Sequence, residues 1–571
     1  MQSQTTNGAN ELNKNKEQRN STGSTNSLLL PIIIFHPGSK HLRIGISSDP
    51  SPITVLHAVG RRRTIQDGVD TLRKDNLFPN NYCGRRRDGH KPPPEVESAR
   101  LQLCYTLQTA LRSDGKSRFA TPTQTIAGYN QLCKEECQES AAAVTNVLNV
   151  WEEYPEIDVI FGDDIFRANP DGDFNIHFPW RRGQLNVHCH IGGSLSWVIN
   201  DICDIWSHWV MKGLQIPLGH LKGYRALVVL PTMFDRNHAK EIMNMILNTM
   251  GFASAILIQD HVCASFGSGL STALVVDVGD QKISVSCVED GISIPQSRIF
   301  LKYGGIDLTS ALLHLMKQSA VPLPIDRKSI WDIEFANKIK ENLCHLNLDR
   351  CGPEEHLVIW DKPGPSRVVV KLHFGDELLI VPLGYFNPDL LRASIGLKPV
   401  LTYRHQPYIP DDPYDEAFIN DTSRKVKESD DGDEEYIVDS KLDFAIHSSS
   451  KIESHNLLGI VQAIIQSIDS SDCNEETKRR LYSSILLVGG GFKFQGFDSW
   501  LQTKLSTTIP KLFRPDVHVI KQLKDMDPSL TTWKGATILV QLETSTELWI
   551  SQTEWNRYGS KILREKCLCS F

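Results

Sequence analysis

The sequence lacks any apolar run long enough to cross a membrane. A spanning helix needs about 20 consecutive, mostly apolar residues, and no stretch of this 571-residue chain approaches that length. The first residues are polar, without the apolar segment that a secretory signal carries. We therefore expect neither a membrane span nor secretion.

Motifs of zinc sites and of common hydrolases are also missing. The 13 cysteines form no CxxC pair, and the chain has no HExxH, GxSxG or Walker A sequence. Cys133 and Cys137 lie close in sequence, as do His188, Cys189 and His190, but neither group has the spacing of a four-ligand zinc site. We interpret the cysteines as reduced thiols of a protein of the cytosol or nucleus.

The charge balance excludes a protein that is basic over its whole surface. The formal net charge is −7, and the apolar and charged fractions are those of an ordinary globular protein. A local basic patch remains compatible with this charge. The length allows a large core and predicts several structural units.

The most informative segment that is present spans residues 273–289, ALVVDVGDQKISVSCVE. An apolar run ends in the sequence DVGD at 277–280, and an alternating apolar run follows at once, which predicts a tight β-hairpin. Backbone N–H groups at such a turn can hold phosphate oxygens. A neighbouring carboxylate can order the waters of a bound Mg²⁺. Most turns of this kind bind nothing, so the segment needs support from elsewhere in the chain.

Two further segments give that support. Residues 31–46, PIIIFHPGSKHLRIGI, contain an apolar strand, a turn at 36–40 and a second strand that carries Arg43. Residues 484–491, SILLVGGG, form a strand that enters three glycines, and glycine lets a backbone approach a ligand closely because it has no Cβ. Two hairpins and a glycine-ended strand in this order indicate a polyphosphate held from both sides.

These segments, together with the C-terminal residues 533–555, resemble the sequences of the actin family. The resemblance covers roughly residues 28–63 and 150–571, with gaps. It implies an α/β fold of the actin type, with two duplicated halves around a nucleotide cleft, although the sequence shows no strong internal repeat. Four stretches are most similar to nuclear actin-related subunits of INO-eighty-type chromatin remodelling complexes: 175–186 (NIHFPWRRGQLN), 262–285, 524–535 (KDMDPSLTTWKG) and 547–555.

The resemblance implies an ATP site built on both hairpins. Gly38, Ser39 and Lys40 would form the first phosphate loop, and Arg43 stands where the family carries a phosphate-contacting lysine. Arginine keeps that charge but replaces a point charge with a planar fork. The other implied ATP contacts belong to the second loop, to a helix beside ribose and adenine, and to the glycines behind adenosine: Asp277, Val278, Gly279, Asp280; Lys340, Glu341; and Gly489, Gly490, Gly491.

The groups that activate water differ from the family pattern. His36 replaces the aspartate that helps to order the water shell of magnesium, which leaves Asp277 as the expected Mg²⁺ contact through a bound water. Asp260 aligns with the glutamine that positions the attacking water, with Gln259 one position away, and Ser284 aligns with a histidine of the same water network. Such groups each contribute about 10²–10⁴-fold to rate, so we predict ATP binding with very slow or absent hydrolysis.

Three segments fall outside the family pattern. Residues 1–27 are polar and are predicted to be a disordered tail. Residues 64–145 form an insertion, which we assign to the first half of the fold, and it contains two helix-like stretches. Residues 405–450 form a second, acidic and flexible insertion, whose SDDGDEE run at 429–435 does not fit a calcium loop.

The resemblance implies a nuclear role in chromatin remodelling, transcription regulation, DNA repair and recombination. Actin, other actin-related proteins and the motor subunit of the remodeller are the expected partners. Two alternatives are an active ATPase or kinase of the actin, sugar-kinase and chaperone superfamily, against which the altered water-positioning groups argue, and a filament-forming actin. The two large insertions make the regular contacts of a filament lattice a poor fit.

Contact with nucleosomal or linker DNA is expected to be independent of sequence. Clustered arginine and lysine residues can neutralise phosphates, although such a cluster can equally be a solvated loop. The candidate contacts are Arg61, Arg62, Arg63, Arg85, Arg86, Arg87 and Lys91, with Lys14, Lys16 and Arg19 in the tail.

A groove for a partner helix is the last implied feature. Leu548, Trp549 and Trp555 are candidate groove residues near the C-terminus. Core positions are an equally good interpretation of these three side chains.

Overall fold

The computed structural model of the protein describes residues 30–62, 93–140, 154, 156–168, 174–188, 192–323, 325–327, 329–360, 368–395, 399–402, 457–521 and 526–567. No helix among these residues is long and apolar enough to cross a membrane. The predicted tail and the acidic insertion at 405–450 lie outside the described residues.

The strands divide into two large sheets and three small ones. In chain order they are β1 (Ile32–Pro37), β2 (His41–Ile46), β3 (Ile53–Leu56), β4 (Val59–Arg62), β5 (Val159–Phe161), β6 (Phe174–His177), β7 (Trp180–Arg181), β8 (Gln184–Leu185), β9 (Arg225–Leu230), β10 (Ser254–Gln259), β11 (Thr272–Val278), β12 (Ile283–Glu289), β13 (Ile292–Ser293), β14 (Ile299–Leu301), β15 (Glu354–Trp360), β16 (Val368–Phe374), β17 (Val400–Thr402), β18 (Ile485–Val488), β19 (Val519–Ile520) and β20 (Ile550–Ser551).

The helices cover the faces of these sheets. They are α1 (Pro94–Thr109), α2 (Thr123–Ser140), α3 (Asp164–Arg167), α4 (Leu195–Lys212), α5 (Arg236–Asn244), α6 (Asp260–Ser268), α7 (Gly305–Gln318), α8 (Ile330–Leu343), α9 (Glu377–Leu383), α10 (Ile460–Asp469), α11 (Glu475–Ser483), α12 (Phe497–Thr508), α13 (Thr531–Leu539), α14 (Gln552–Tyr558) and α15 (Ile562–Lys566). A π-helical turn, Met245–Met250, continues α5, and short 3₁₀ turns occupy Leu218–Gly223, Pro295–Ser297, Pro388–Leu391, Arg514–Asp516, Glu543–Leu548 and Gly559–Lys561.

Side-chain caps explain where several helices begin. Ser194 accepts a hydrogen bond from the Trp197 N–H at the start of α4, and Asn474 caps α11 in the same way. Ser551 and Glu554 form a reciprocal capping box at α14. Each cap satisfies N–H groups that the first helical turn leaves without a partner.

The two large sheets repeat one topology. The first has the order β3-β2-β1-β9-β10-β20, with an antiparallel β1–β2 hairpin beside the parallel strands β9 and β10. The second has the order β17-β14-β12-β11-β18-β19, with an antiparallel β11–β12 hairpin beside the parallel strands β18 and β19. The predicted duplication of α/β halves is confirmed.

The hairpins place their turns at the edge of each sheet. In the first, the Gly38 N–H donates to the His41 carbonyl at 2.9 Å, and a Cβ at Gly38 would lie 2.9 Å from that oxygen. In the second, the Gly279 N–H donates to the Lys282 carbonyl at 2.8 Å. The second turn therefore spans residues 279–282 and lies two residues later than the DVGD sequence suggested.

The described residues of the 64–145 insertion, 93–140, pack against the second half, although the insertion follows β4 of the first half in the chain. Val96, Ala99, Leu103 and Leu107 of α1 belong to the core of the second half. The Arg118 side chain donates to Asp376 at 2.6 Å, and Asn130 on α2 contacts the Ser319 and His373 carbonyls. Our assignment of this segment to the first half is therefore corrected, because its apolar face is buried on the second half.

The C-terminal aromatic residues are core residues. Trp549 packs in the cluster that contains Trp533, and Trp555 packs beneath the first sheet. Arg225 stacks on the Trp549 ring at 4.4 Å. The groove interpretation of these tryptophans is therefore wrong and the core interpretation is confirmed, with Leu548 partly buried against the same cluster.

Candidate functional site

The two hairpin turns meet across the gap between the halves. Lys40 Nζ lies 2.8 Å from a carboxylate oxygen of Glu334 on α8. A narrow cavity between the halves is lined by residues of both turns and of α8: Ser39, Lys40, Asp280, Gln281, Glu334 and Asn337 on its polar side. The sequence predicted that both loops contact one ligand, and in the structure both loops line the same cavity.

The three glycines lie directly against the second loop. The Gly491 N–H donates to the Val278 carbonyl at 2.8 Å. A Cβ at Gly489 would lie 2.3 Å from that carbonyl oxygen, and a Cβ at Gly491 would lie 2.6 Å from the Gly279 oxygen. Gly490 has open space where its side chain would be. Glycine is therefore required at 489 and 491 for packing, whereas Gly490 is exposed.

Arg43 and His36 are paired positions of the first hairpin. Burial lowers the pKa of Arg43, and its Nε is hydrogen-bonded to no described atom. Burial, reinforced by Arg43, lowers the pKa of His36 to about 3, and its Nδ1 also lacks a described partner. A buried guanidinium without a full set of acceptors fits an anion such as a phosphate group.

Lys282 is a residue that the sequence interpretation missed. Its Nζ lies 2.6 Å from Asp260 Oδ2 and 2.9 Å from Asp277 Oδ2. Burial opposes its charge, but the two carboxylates outweigh that effect and raise its pKa. Burial likewise acts to raise the pKa of Asp260, yet Lys282 holds it well below its ordinary value. The only sequence signal was a lysine inside the turn of an otherwise apolar hairpin.

Hydrogen bonds fix Asp260 and Ser284, the positions at which the family resemblance implies water-positioning groups. Thr232 donates to Asp260 Oδ1 at 2.6 Å, so both Asp260 oxygens have partners. Ser284 Oγ lies 2.9 Å from His261 Nε2, and Ser286 Oγ lies 2.6 Å from the other ring nitrogen. Burial lowers the pKa of His261. The structure thus supplies a histidine beside Ser284, but both of its nitrogens face serines.

Lys340 and Glu341 take different environments on α8. Lys340 is buried and donates to the Gly305 carbonyl at 2.7 Å and to Thr309 Oγ1 at 2.9 Å. Burial lowers its pKa. Glu341 is exposed. Lys340 is therefore not a solvated helix lysine, and it supports the start of α7 beside the second loop.

A second contact between the halves was also missed. Arg182 donates to both carboxylate oxygens of Asp307, at 2.6 and 2.8 Å, and to the Gln281 carbonyl at 3.2 Å. Arg182 and Gly183 have φ values of 50° and 70° in the turn between β7 and β8, as expected for a two-residue hairpin turn. That turn aims the Arg182 side chain of the first half at the second loop.

Mg²⁺ does not fit the carboxylates that would order its water. The Lys282 ammonium already lies between Asp260 and Asp277 and donates to both. The described part of the chain contains no group of three His, Cys, Asp or Glu residues that could hold a metal ion. His36, neutral at pH 7, adds no carboxylate.

Of the candidate DNA contacts at Arg61–Arg63, Arg85–Arg87 and Lys91, two arginines are described and already contact protein groups, and the others lie outside the described residues. Arg61 donates to Asp201 at 2.5 Å and to Asp204 at 2.7 Å. Arg62 donates to the Ile157 carbonyl at 2.8 Å and stacks on Phe174. These two arginines hold β4 in place. The remaining candidates, Arg63, Arg85, Arg86, Arg87 and Lys91, lie outside the described residues.

Comparison with known proteins agrees with this geometry. The family model described as Actin matches residues 29–348 and 372–568. The chain belongs to the actin family. This actin-family protein is 37% identical to actin-related protein 8 of Aedes aegypti, over 94% of this chain and 97% of that one. It is 34% identical to actin-related protein 8 of Drosophila melanogaster, over 94% of each chain.

A solved structure supports the same relationship. The human actin-related protein Arp8 in its ATP-bound state superposes on this actin-family protein with a TM-score of 0.79. The two are 32% identical, and the match covers 95% of this chain and 97% of the human one. The family and fold predicted from the sequence are confirmed.

Proposed function

We propose that this protein is an ATP-binding, non-catalytic or nearly non-catalytic subunit of a nuclear INO-eighty-type chromatin remodelling complex. In this role it supports nucleosome engagement, transcription regulation and DNA repair. The observation that carries the non-catalytic part is the position of Lys282, which engages Asp260 and Asp277 together.

ATP binding is supported by the basic side chains of the cleft. Arg43 is half-buried and its buried Nε has no described partner, and Lys40 adds a second cation on the same hairpin. Gly490 leaves open space beside the second loop. The similar human protein was solved in an ATP-bound state, so ATP is the nucleotide that we propose.

Slow hydrolysis is supported by the fixed water-positioning groups. Asp260 accepts from Thr232 and Lys282, and a carboxylate so engaged has little remaining capacity to orient water. His261 is buried and both ring nitrogens face serine hydroxyls. Each missing group costs about 10²–10⁴-fold in rate.

ATP is expected to raise the melting temperature of the purified chain without being consumed. A ligand specific for the folded state stabilises it by about 2.7 kcal/mol at a hundredfold excess over Kd. The measurements are a thermal-shift titration and a phosphate-release assay. Arg43→Gln should lose most of the shift, whereas Arg480→Gln, at an exposed ion pair with Glu476, should keep it. Phosphate release at the rate of actin filaments would refute the non-catalytic proposal.

The protein is expected to bind the helicase-associated helix of the motor subunit together with actin and other actin-related proteins. Such a helix must be long, because each actin-fold protein needs its own segment at roughly 1.5 Å per residue. The test is a pull-down on that helix with and without actin, with a control helix whose apolar anchors at i, i+3, i+4 and i+7 are changed to serine. Equal recovery on both helices, or recovery on neither, would remove the assignment to this complex.

DNA contact is expected to be electrostatic and to involve the arginines outside the described residues. Each phosphate contact releases counterions, so affinity falls steeply with salt. Changing Arg85, Arg86 and Arg87 together to alanine should flatten the plot of log affinity against log salt. Arg61→Ala serves as the control, because Arg61 is already paired with Asp201. An unchanged slope in the triple variant would place DNA contact elsewhere.

A further inference from the structure

The polar centre of the cleft contains a protein cation where the actin family leads one to expect a divalent metal. Lys282 Nζ lies within 3 Å of a carboxylate oxygen of both Asp260 and Asp277. It also lies 3.2 Å from Ser284 Oγ. The ammonium therefore has three oxygen partners, which is the full number that its three N–H donors can serve.

Neighbouring elements hold the Lys282 side chain in this position. Gly183 of the first half lies against its stem, where a Cβ at Gly183 would come within 3.1 Å of Lys282 Cδ. The Phe300 ring lies on another side, 5.9 Å from Nζ. The absence of a side chain at Gly183 gives the lysine its space, and Phe300 adds a favourable face for the cation.

The remaining charges of the cleft complete a metal-free anion site. Arg43 of the first hairpin interacts electrostatically with Asp277 of the second. Lys40 pairs with Glu334 and interacts electrostatically with the half-buried Asp280, whose pKa is raised by desolvation. Arg43, Lys282 and Lys40 thus bring three cations to the two loops, each with at least one carboxylate beside it, and the two carboxylates that could order metal-bound water both accept from Lys282.

We infer that Lys282, with Arg43, replaces the divalent cation, so that this protein holds the triphosphate of a nucleotide without Mg²⁺. The inference rests on the proposed ATP binding. A dication beside Lys282 would repel the ammonium and would compete for carboxylates that already accept hydrogen bonds. Mg²⁺ keeps most of its water and binds through carboxylates and phosphates, and Lys282 removes the carboxylates from that role.

The first test compares ATP binding with and without metal on the full chain. Isothermal titration is performed with ATP in EDTA and with ATP in excess Mg²⁺. We expect the Kd in EDTA to be equal to, or at most about twofold weaker than, the Kd in Mg²⁺. A Kd more than about tenfold weaker in EDTA would overturn the inference and leave ATP binding standing. Absence of binding in both conditions would overturn the proposed function as well.

The second test changes the lysine itself. Lys282→Val should weaken metal-free ATP binding by about 10- to 100-fold, because the carboxylates of Asp260 and Asp277 lose the cation that neutralises them and then repel the triphosphate. Mg²⁺ should then restore much of that loss, because Asp260 and Asp277 become free to order its waters. Lys282→Arg should retain metal-free binding. Lys478→Val, at a lysine that pairs with Asp469 away from the cleft, is the matched control.

The variants distinguish ATP binding that depends on Lys282 from ATP binding in which Lys282 takes no part. Unchanged metal-free affinity in Lys282→Val would show that Lys282 takes no part in binding and would overturn the inference. Weaker binding that Mg²⁺ cannot restore, with a normal melting temperature, would contradict the exchange of lysine for metal. If Lys282→Val does not fold, the comparison of EDTA with Mg²⁺ on the unmodified chain decides alone.

Discussion

Arg182→Ala is expected to destabilise the folded protein by about 3–5 kcal/mol, the range for removing one partner of a buried ion pair. The Arg182 side chain is 12% exposed and that of Asp307 is fully buried. The substitution leaves the Asp307 carboxylate without its two guanidinium donors, although the Gly304 N–H still donates to it. The free energy of unfolding is measured by denaturant titration with ATP absent.

Two control variants and a protease assay test whether the loss of stability comes from the buried Arg182–Asp307 ion pair. Arg480→Ala removes an exposed ion pair with Glu476 and should cost no more than about 0.5 kcal/mol. Arg182→Lys keeps the charge but loses the bidentate fork, so its loss should be intermediate. Because Arg182 joins the two halves, its removal should also raise protease sensitivity between them. A loss for Arg182→Ala as small as that for Arg480→Ala would show that the contact contributes little.

Gly535→Ala is expected to destabilise the protein by about 3 kcal/mol or more, the upper part of the range for overpacking. Helices α6 and α13 cross at Gly267 and Gly535. A Cβ at Gly535 would lie 1.6 Å from the Cys263 carbonyl oxygen, and one at Gly267 would lie 2.1 Å from the Thr531 oxygen. These neighbours are backbone atoms, so no rotation of a side chain relieves the clash, and the two helices must separate.

A glycine without close neighbours supplies the comparison. Gly219→Ala adds a methyl group into open space, so its free energy of unfolding should stay within about 0.5 kcal/mol of the unmodified protein. Chemical denaturation of both variants measures the difference. Equal stability of Gly535→Ala and Gly219→Ala would mean that the crossing of α6 and α13 can widen at no cost.

The sequence was most informative where a local pattern determines the structure. Alternating apolar residues on both sides of a glycine turn predicted the two hairpins. The three glycines after β18 were predicted to lie behind adenosine, and the structure places two of them against the second loop, where glycine allows the approach of the Val278 and Gly279 carbonyls. The individual ATP contacts remain predictions, whereas the expected metal-water role of Asp277 does not fit a carboxylate that already accepts from Lys282.

The sequence was least informative where residues distant in the chain meet. The sequence shows Lys282 only as a lysine in a turn, and folding places Asp260, which follows β10, beside it. Arg182 gains its role only because a hairpin of the first half points at α7. The helices of the 64–145 insertion pack on the second half, since the buried face of α1 fits there, and no local pattern encodes that choice.

By itself, the sequence predicted two hairpins with glycine turns, because these depend on residue type at fixed spacing, and its resemblance to the actin family implied the α/β fold. The tertiary structure alone decided which charges pair. It placed Lys282 between two carboxylates, Arg182 on Asp307, and Trp549 and Trp555 in the core. Coulomb energy depends on the distance between charges, and burial depends on access of solvent in the folded state. Neither quantity can be calculated from the sequence without the tertiary structure.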